Sequence, residues 1–500
     1  MNSTVSGFLT EALDPIIQTE MLEPGLNREF PMVLPLITRI NKAHVVMLTK
    51  KKILTKEIAR KLATAILELE ALGPAAFTLD PAKEESYFNY EAELINRVGS
   101  DVGGRVHIAR SRNDLYATMD RLRARDVTAN LRARLLELRE AVLSRARKHR
   151  NVVMPGYTHL QPAQPTTFGY YLAGIGQALE RDYKRIAECW SRINISPLGA
   201  GAIVGTSFEI DRSMTSRLLG FEDVGPHAQD CIAARDYLVE LLSDLTLATT
   251  TLSRMAQDFF VMTSYEFRTL ELPDSVAQTS SMMPQKKNMS ALEVLRASAA
   301  QVLGAHVSAV SGLRATHYSF GFDACCDPFR WTWEALEAAK RVMSVACVVI
   351  NKAEPCPDRM LELTRTNFST VTDLADLIVR ESDLSFREAH HLVGGIVRAA
   401  MLRGLSADQI DSELIAEQSE VQIGRRIELP PTTVSESVDP IKSIQARHNS
   451  GGASEHDMAI TLDGLEDDLI RSKEAHAQAN DKLSRAEQTL EQEFRKLITS

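Results

Sequence analysis

Long runs without glycine or proline divide this chain, and within them apolar residues recur every three or four positions. This is the spacing of amphipathic helices. It predicts a helix from Thr55 to Leu72 that ends at Gly73-Pro74, and a second from Tyr87 to Val98 that ends at Gly99. We assign both helices to a small N-terminal α domain over residues 1–110.

Longer helical runs follow and predict an elongated bundle. They start near Asn113, Thr166, His227, Asn288 and Phe329, and they end near Pro155, Ile193, Phe267, Leu313 and Lys352. The run from His227 to Phe267, if unbroken, would span about 60 Å. Helices of this length rarely surround one small core, so residues 111–357 are predicted to form a central domain of bundled helices.

The last third of the chain is predicted to be another small α domain, over residues 358–500. Beyond Gly464 its tail is charged and helical, with weak apolar spacing. We expect this tail to pack against the rest or to be a partly mobile extension. The fold class predicted from the pattern is therefore mainly α.

Composition excludes several classes of function. The 500 residues are 44% hydrophobic and carry a net charge of -9, so no global field attracts nucleic acid or anionic lipid. No apolar stretch reaches membrane-spanning length, and the N-terminus lacks a signal peptide pattern, which predicts a cytoplasmic protein. The six cysteines have no metal-binding spacing and are too few for a disulfide scaffold, so we expect reduced, mostly buried thiols.

The densest candidate chemistry lies between Gln278 and Glu293, which reads Q-T-S-S-M-M-P-Q-K-K-N-M-S-A-L-E. Two hydroxyls, two lysines, an amide and a carboxylate are too much polar chemistry for a core. The pattern predicts a polar loop, 273–288, that leads into a helix start, where anions are favoured. On composition alone, a solvated connecting loop is the favoured interpretation of this segment, because most polar loops only connect elements.

Two other segments carry similar polar density. One is V-H-I-A-R-S-R-N-D, from Val106 to Asp114, and the other is G-Y-T-H-L-Q-P-A-Q-P-T-T-F-G, from Gly156 to Gly169. Prolines between Met154 and Pro165 predict a constrained loop ahead of the helix that starts near Thr166. In order and spacing, the three segments resemble those of the fumarase/aspartase superfamily in its argininosuccinate lyase branch. Runs in the last third, from Thr370 to Asp376 and from Phe386 to His390, resemble the C-terminal domain of the same branch.

The resemblance implies a three-domain fumarase/aspartase-like fold and a carbon–nitrogen lyase that releases fumarate from an N-substituted aspartate by β-elimination. It implies that Ser280 is the general base, that Lys286 and Asn288 grip the carboxylate, and that His159, oriented by Glu293, is the candidate acid. Other candidates for substrate binding are Arg110, Ser111, Arg112, Asn113, Thr158, Arg235, Ser281, Met283 and Tyr318, and an extra carboxylate could be received by Arg110, Arg112, Arg235 or Arg330. It also implies a reaction that needs no metal and no cofactor, and a homotetramer in which each site draws on three subunits.

The chain departs from the branch pattern at several positions. Ile108, Ala109 and Leu115 replace residues of the first motif, and Thr279 replaces a glycine before the signature serines. Asp323 and Cys326 stand where the branch has a glutamine and a lysine that hold the amine part of the substrate. The succinate half thus resembles the branch and the amine half differs. This implies an aminopolycarboxylate substrate such as ethylenediamine-N,N'-disuccinate (EDDS), with argininosuccinate or a catalytically silent, crystallin-like role as the alternatives.

Overall fold

The computed structural model describes residues 11–499. Residues 1–10 and Ser500 lie outside the described range. The expectation that the chain has no signal peptide concerns mostly residues 1–10, so it lies outside the described residues. Within that range the chain is mainly α-helical, as predicted, and its strands form two-stranded pairs. No helix between residues 11 and 499 is both long enough and apolar enough to cross a membrane.

Local capping signals mark the start of α2 and the ends of α2 and α3 among the N-terminal helices. Their bounds are α1 Glu23–Lys50, α2 Lys56–Leu72, α3 Ser86–Val98 and α4 Ser100–Gly103. The Thr55 hydroxyl accepts a hydrogen bond from the Ile58 amide at the start of α2. Gly73 and Gly99 end α2 and α3 with φ of 69° and 84°, which residues with side chains rarely adopt. Both helices predicted in this part are confirmed.

Five long helices form the central bundle. They are α5 Arg112–Lys148, α6 Phe168–Ile193, α9 Asp236–Met262, α10 Ser290–Leu313 and α12 Thr332–Lys352, with the short α7 Arg212–Leu219, α8 Ala228–Ala233 and α11 Phe322–Cys325 between them. At 1.5 Å per residue, α5 is about 55 Å long and the other four are about 30 to 40 Å long. Buried apolar side chains from all five long helices form one continuous core.

Contacts between the helices show their directions. Arg121, near the start of α5, donates from Nη1 to the carbonyl of Arg192 at the end of α6 (2.7 Å). Arg145, near the end of α5, donates to Glu354, just beyond α12 (2.9 Å). Helices α5 and α6 are therefore antiparallel, and α5 and α12 finish at the same end of the bundle.

Helices α9 and α10 complete this arrangement. The Tyr171 hydroxyl of α6 donates to Asp258 of α9 (2.8 Å), and the Arg296 guanidinium of α10 lies 5.5 Å from the ring centre of Phe260. One end of the bundle therefore contains the starts of α6 and α10 and the last turns of α5, α9 and α12. We call it the hairpin end, after the β-hairpin of residues 153–167 that follows α5. The starts of α5, α9 and α12 lie at the other, which we call the opposite end.

The predicted unbroken helix from His227 to Phe267 is wrong, because the chain leaves the helix between α8 and α9. Ala234 is extended (φ -65°, ψ 120°). The side chain of Arg235 is buried, and its Nη1 donates to the carbonyls of Ala234 (2.8 Å) and Ile232 (3.2 Å). The guanidinium thus satisfies carbonyls that α8 leaves without a helical partner. Apolar residues keep their spacing across the break, so periodicity did not reveal it.

The loop predicted between residues 154 and 165 is a β-hairpin instead. Strand β1, Val153–Thr158, pairs antiparallel with β2, Gln161–Thr167, so α6 begins at Phe168 rather than Thr166. Each strand has a single neighbour, and prolines are tolerated in such strands because only one edge needs amide donors. The prolines that predicted a loop are therefore compatible with the hairpin.

Six short strands join other segments. They are β3 Ile195–Ser196 parallel to β4 Asp223–Val224, β5 Leu270–Glu271 antiparallel to β8 Glu354–Pro355, and β6 Gln278–Thr279 antiparallel to β7 Lys287–Asn288. The β5–β8 pair holds the chain after α9 beside the chain after α12, at the hairpin end. All six cysteines are free thiols, as predicted.

The C-terminal third has a separate apolar core and a long final helix. Its helices are α13 Pro357–Thr366, α14 Val371–Glu381, α15 Phe386–Leu402, α16 Ser412–Ile423, α17 Pro431–Ser437, α18 Pro440–Gln445 and α19 Glu455–Thr499. Helix α19 contributes Leu462 and Leu465 to the bundle core and Leu490 and Phe494 to the N-terminal core. The tail therefore packs along much of the molecule. The limits 1–110, 111–357 and 358–500 stay predictions.

Candidate active site

The signature loop, residues 273–288, contains the pair β6–β7, which is closed by residues 280–286. The Oγ of Ser280 accepts hydrogen bonds from the backbone amides of Met283 (3.0 Å) and Met282 (3.3 Å). Two N–H dipoles that point at one hydroxyl oxygen stabilise negative charge on it. The loop therefore supplies two hydrogen-bond donors to any negative charge on the Ser280 oxygen.

The two adjacent lysines of the loop have different surroundings. Lys287 is half-buried, donates to the carbonyl of Leu272 and forms a salt bridge with Asp274 (2.9 Å). Lys286 is exposed and makes no ion pair with any residue between 11 and 499. Lys287 thus holds the loop in place, and Lys286 is available to a bound anion.

Of the other candidates in this segment, Asn288 is half-buried and the rest are exposed in the single chain. Asn288 lies in β7, two residues before α10, rather than at the predicted helix start, and its Nδ2 is 3.5 Å from the Thr279 carbonyl. Glu293 lies in the first turn of α10 and is exposed, as are Ser281 and Met283. The segment therefore presents its polar groups outward.

His159 and Leu160 form the two-residue turn between β1 and β2, and Thr158 precedes them. Their φ angles are 54° and 56°, the positive values that a type I′ hairpin turn requires. Neither residue is a glycine or an asparagine, so each costs about 1 kcal/mol or more in this conformation. Thr158 and His159 are exposed, and the imidazole has no hydrogen-bond partner within the described chain.

The first motif caps the longest helix of the bundle. The Ser111 hydroxyl accepts a hydrogen bond from the Asn113 amide (3.2 Å), and the Asp114 carboxylate accepts one from the Ser111 amide (2.9 Å). This reciprocal pattern is a capping box. The side chain of Asn113 donates to the carbonyl of Ala202 (3.2 Å). The motif therefore fixes the start of α5 and holds the neighbouring turn.

Asp114 is a residue that sequence reasoning missed. Its Oδ2 accepts hydrogen bonds from the amides of Gly199 (2.8 Å) and Gly201 (3.1 Å). Burial raises the pKa of this carboxyl to about 6, although the amide donors act in the opposite direction. The carboxyl fastens the glycine-rich turn to the start of α5. The Ser111/Asp114 spacing of a capping box is the signal that would have identified it.

The arginines of the first motif already have partners within the chain. Arg110 is buried, and its Nη2 donates to Asn41 Oδ1 (2.5 Å) and to the Tyr87 hydroxyl (2.9 Å). Arg112 forms ion pairs with Glu84 (3.0 Å) and Glu85 (3.5 Å). These partners are far from the two arginines in the sequence, and Glu84 lies 28 residues before Arg112. Local spacing therefore did not predict the contacts.

Arg235 and Tyr318 lie at the opposite end of the bundle, and both contact acidic residues. Arg235 Nε is 3.2 Å from Asp120 Oδ2. The Tyr318 hydroxyl donates to Asp230, and this hydrogen bond raises the pKa of the exposed phenol to about 12. Sequence reasoning missed Asp120 and Asp230, because neither belongs to a recognised motif.

The candidate residues form two groups, one at each end of the bundle. Thr158, His159 and the signature loop lie at the hairpin end, whereas Ser111, Asn113, Arg235 and Tyr318 lie at the opposite end. Helix α9 alone, which separates Arg235 from the signature loop, is about 40 Å long. A small substrate cannot contact both groups of one chain.

One group of side chains between residues 11 and 499 has the spacing of metal ligands. Cys189, Glu240 and Asp244 offer ligand atoms within 4.8 Å of one another. Glu240 already pairs with Arg192, and the Cys189 thiol lies 3.7 Å from the Tyr237 carbonyl. No candidate residue of the site belongs to this group. The expectation of a site without metal or cofactor stays a prediction.

The chain matches two family models and is similar to known lyases along most of its length. A lyase family model matches residues 36–304, and a model of the argininosuccinate lyase C-terminal region matches residues 368–445. Argininosuccinate lyase 1 of Shouchella clausii is 36% identical over 468 residues, 94% of this chain and 94% of its own length.

Two solved structures are similar to almost the whole chain. EDDS lyase in complex with formate is 31% identical with a TM-score of 0.89, covering 100% of this chain and 99% of that chain. An EDDS lyase variant with bound fumarate has the same identity and TM-score, covering 98% of this chain and 97% of that chain. The similarity therefore extends over the bundle and both flanking regions.

Proposed function

Because the chain belongs to the lyase family, in its argininosuccinate lyase branch, we propose a mechanism and a substrate for it. The predicted superfamily and its mainly α fold are confirmed, as is the prediction of a carbon–nitrogen lyase. The reaction proposed is β-elimination of an amine from an N-substituted aspartate, with release of fumarate.

The observation that carries this proposal is the pair of backbone amides that donate to Ser280 Oγ. A proton on the carbon beside a carboxylate is weakly acidic, and its removal leaves a second negative charge on that carboxylate. Ser280, as an alkoxide, removes the proton. Lys286, which has no ion pair in the described chain, and the Asn288 amide stabilise the resulting dianion.

The electron pair of the dianion then forms the double bond of fumarate, the carbon–nitrogen bond breaks, and the leaving nitrogen takes a proton. His159 lies on the hairpin tip with its imidazole free, and we assign it this role, with Glu293 as its orienting carboxylate. Ser111, Asn113, Thr158 and Ser281 hold the succinyl part, and Met283 is a further substrate-binding residue. These assignments follow from the match of each residue to the branch motifs.

A complete site requires residues of several subunits, and we propose the homotetramer of the branch. The separation of the two candidate groups by the length of the bundle supports this assembly. So does an exposed apolar stripe on α10, formed by Leu303, Val307 and Val310 at positions i, i+4 and i+7, which are 47%, 53% and 38% exposed. Apolar faces of this kind are typical of surfaces that another chain covers.

For the substrate, we propose an aminopolycarboxylate such as EDDS. The name of the structural relatives supports this choice, as do Asp323 and Cys326 at the positions that hold the amine in the branch. Argininosuccinate is the second candidate, because relatives that are 36% and 35% identical are called argininosuccinate lyases. A silent crystallin-like protein is the third, and the presence of all five catalytic candidates argues against it.

The test is a panel of N-substituted aspartates, with fumarate followed by its ultraviolet absorbance. We expect release from EDDS at a higher kcat/KM than from argininosuccinate. The reverse order would assign the chain to argininosuccinate cleavage. No release from any N-substituted aspartate would overturn the proposed lyase reaction and favour the structural role.

A further inference from the structure

Three potential metal ligands meet where α6 ends and α9 begins, at the opposite end of the bundle. Cys189 comes from the last two turns of α6, and Glu240 and Asp244 come from the first turns of α9. Their ligand atoms lie within 4.8 Å of one another. We call these three residues the thiol–carboxylate cluster. None of them takes part in the reaction proposed above, so the cluster needs a separate explanation.

The packing of two helices brings the cluster together. Glu240 and Asp244 are four residues apart, so their side chains lie on the same face of α9. Since α6 and α9 are antiparallel, the end of α6 lies beside this face. The Sγ of Cys189 is 3.7 Å from the carbonyl oxygen of Tyr237, about one turn before Glu240. The bundle therefore fixes the three ligand positions without help from an ion.

Asp244 brings an unsatisfied carboxylate to the cluster. It is 9% exposed, and its Oδ2 is buried without a hydrogen-bond partner among residues 11–499. The two nearby arginines already have carboxylate partners. Arg185 pairs with Asp182 (2.8 Å). Arg192 pairs with Glu240. A buried carboxylate oxygen without a donor, beside a second carboxylate, is unfavourable, and a bound cation would stabilise both groups.

Glu240 can bind a metal and keep its salt bridge. Arg192 Nε donates to Glu240 Oε2 (2.6 Å), and Arg192 Nη2 donates to Oε1. A carboxylate has about four lone-pair sites, so lone pairs remain for a metal. Hydrogen bonds of this kind orient the carboxylates that bind metals in proteins. The side chain of Glu240 is 34% exposed, which gives an ion a path from solvent to the cluster.

We propose that the thiol–carboxylate cluster binds one Zn²⁺ ion, which joins α6 to α9. Mg²⁺ and Ca²⁺ prefer sites made of oxygen atoms, whereas Zn²⁺ binds thiolate sulfur and carboxylate oxygen together. The three side chains fill three of four tetrahedral positions, and water fills the fourth. Burial raises the pKa of the Cys189 thiol, so Zn²⁺ binding releases the thiol proton to solvent.

The experiment uses Co²⁺ as a spectroscopic probe for the Zn²⁺ position. The full-length protein is treated with a chelator, desalted and titrated with Co²⁺. We expect one equivalent per chain to produce a thiolate-to-cobalt charge-transfer band in the near ultraviolet, and added Zn²⁺ to abolish that band by displacement. Zn²⁺ should also raise the Tm of the chelator-treated protein, because the folded chain holds the three ligands together and the unfolded chain does not.

Two variants test the ligands, and two others serve as matched controls. Cys189→Ser should abolish the charge-transfer band, and Asp244→Asn should weaken Co²⁺ binding about tenfold or more. Circular dichroism shows whether each variant folds, and Asp244→Asn decides the question if Cys189→Ser does not. Cys231→Ser changes another buried free thiol, and Glu188→Gln changes an exposed carboxylate beside Cys189. Both controls should keep the band and the wild-type affinity.

Three results would each overturn the inference. They are the absence of a thiolate band in the wild type, a band that persists in Cys189→Ser, and unchanged affinity in Asp244→Asn. None of these measurements involves fumarate release, so they leave the proposed lyase reaction to its own test with the substrate panel.

Discussion

At the scale of single residues, the position of Ser280 leads to a direct test of the base. Ser280→Ala removes the oxygen that accepts the Met282 and Met283 amides, so no group remains to take the proton. We expect fumarate release to fall by about 10³-fold or more, with the oligomer unchanged in light scattering. Ser275→Ala, an exposed serine of the same loop, is the control. Near-normal turnover in Ser280→Ala would remove it from the mechanism.

His44 predicts how stability depends on pH. Burial and the neighbouring Arg110 lower the pKa of this imidazole to about 3, and its ring donates to the Ile108 carbonyl (2.8 Å) in the neutral form. Since the unfolded chain protonates near pH 6.5 and the folded chain does not, stability falls as pH decreases from 6.5 towards 3. This single group contributes up to about 1.4 kcal/mol per pH unit.

The measurement is the change in Tm between pH 7.5 and 5.5, by calorimetry. His44→Gln should show a smaller decrease than the wild type, because one proton fewer is taken up on unfolding. His391→Gln, which changes an exposed histidine, should behave as the wild type does. An identical pH dependence in all three proteins would show that His44 is not kept neutral by the fold.

At the scale of elements, periodicity identified the helices and missed two features that depend on tertiary contacts. The helix break before Arg235 exists because its guanidinium bonds to two carbonyls and meets Asp120, which comes from α5. The hairpin at residues 153–167 depends on pairing across a turn with neither glycine nor asparagine. Neither the helix break nor the hairpin can be predicted from local spacing alone. By contrast, the ends of α2 and α3 were predicted correctly from Gly73 and Gly99, which are local signals.

The strained turn of that hairpin leads to an element-scale prediction. Leu160 has φ of 56° and is 72% exposed, so glycine in its place removes strain and loses little apolar burial. We expect Leu160→Gly to stabilise the protein by up to about 1 kcal/mol, seen as a higher Tm. Ile460→Gly, at an exposed position inside α19, should lower Tm instead. A lower Tm for Leu160→Gly would mean that the leucine side chain makes contacts in the assembled protein.

At the scale of the whole molecule, the resemblance predicted more than the pattern did. The pattern predicted long helices, and these helices place the signature loop and the first motif at different ends of the bundle. Only the resemblance implied that these segments act on one substrate. Chain geometry and shared chemistry are compatible if different subunits supply the segments, which is a property that no single-chain contact can reveal.

Mixed oligomers test this directly. The variants Ser280→Ala and Asn113→Ala should each be inactive alone. When equal amounts of the two variants are refolded together, about half of the signature loops and about half of the first motifs in the mixed oligomers are intact. If the two come from different chains, about a quarter of the sites are complete and a similar share of wild-type activity returns. Ser280→Ala mixed with Lys286→Ala is the control, since both residues belong to one loop and no site regains both. Activity that stays absent in the first mixture, in oligomers shown by mass spectrometry to contain both variants, would mean that the signature loop and the first motif do not meet between chains.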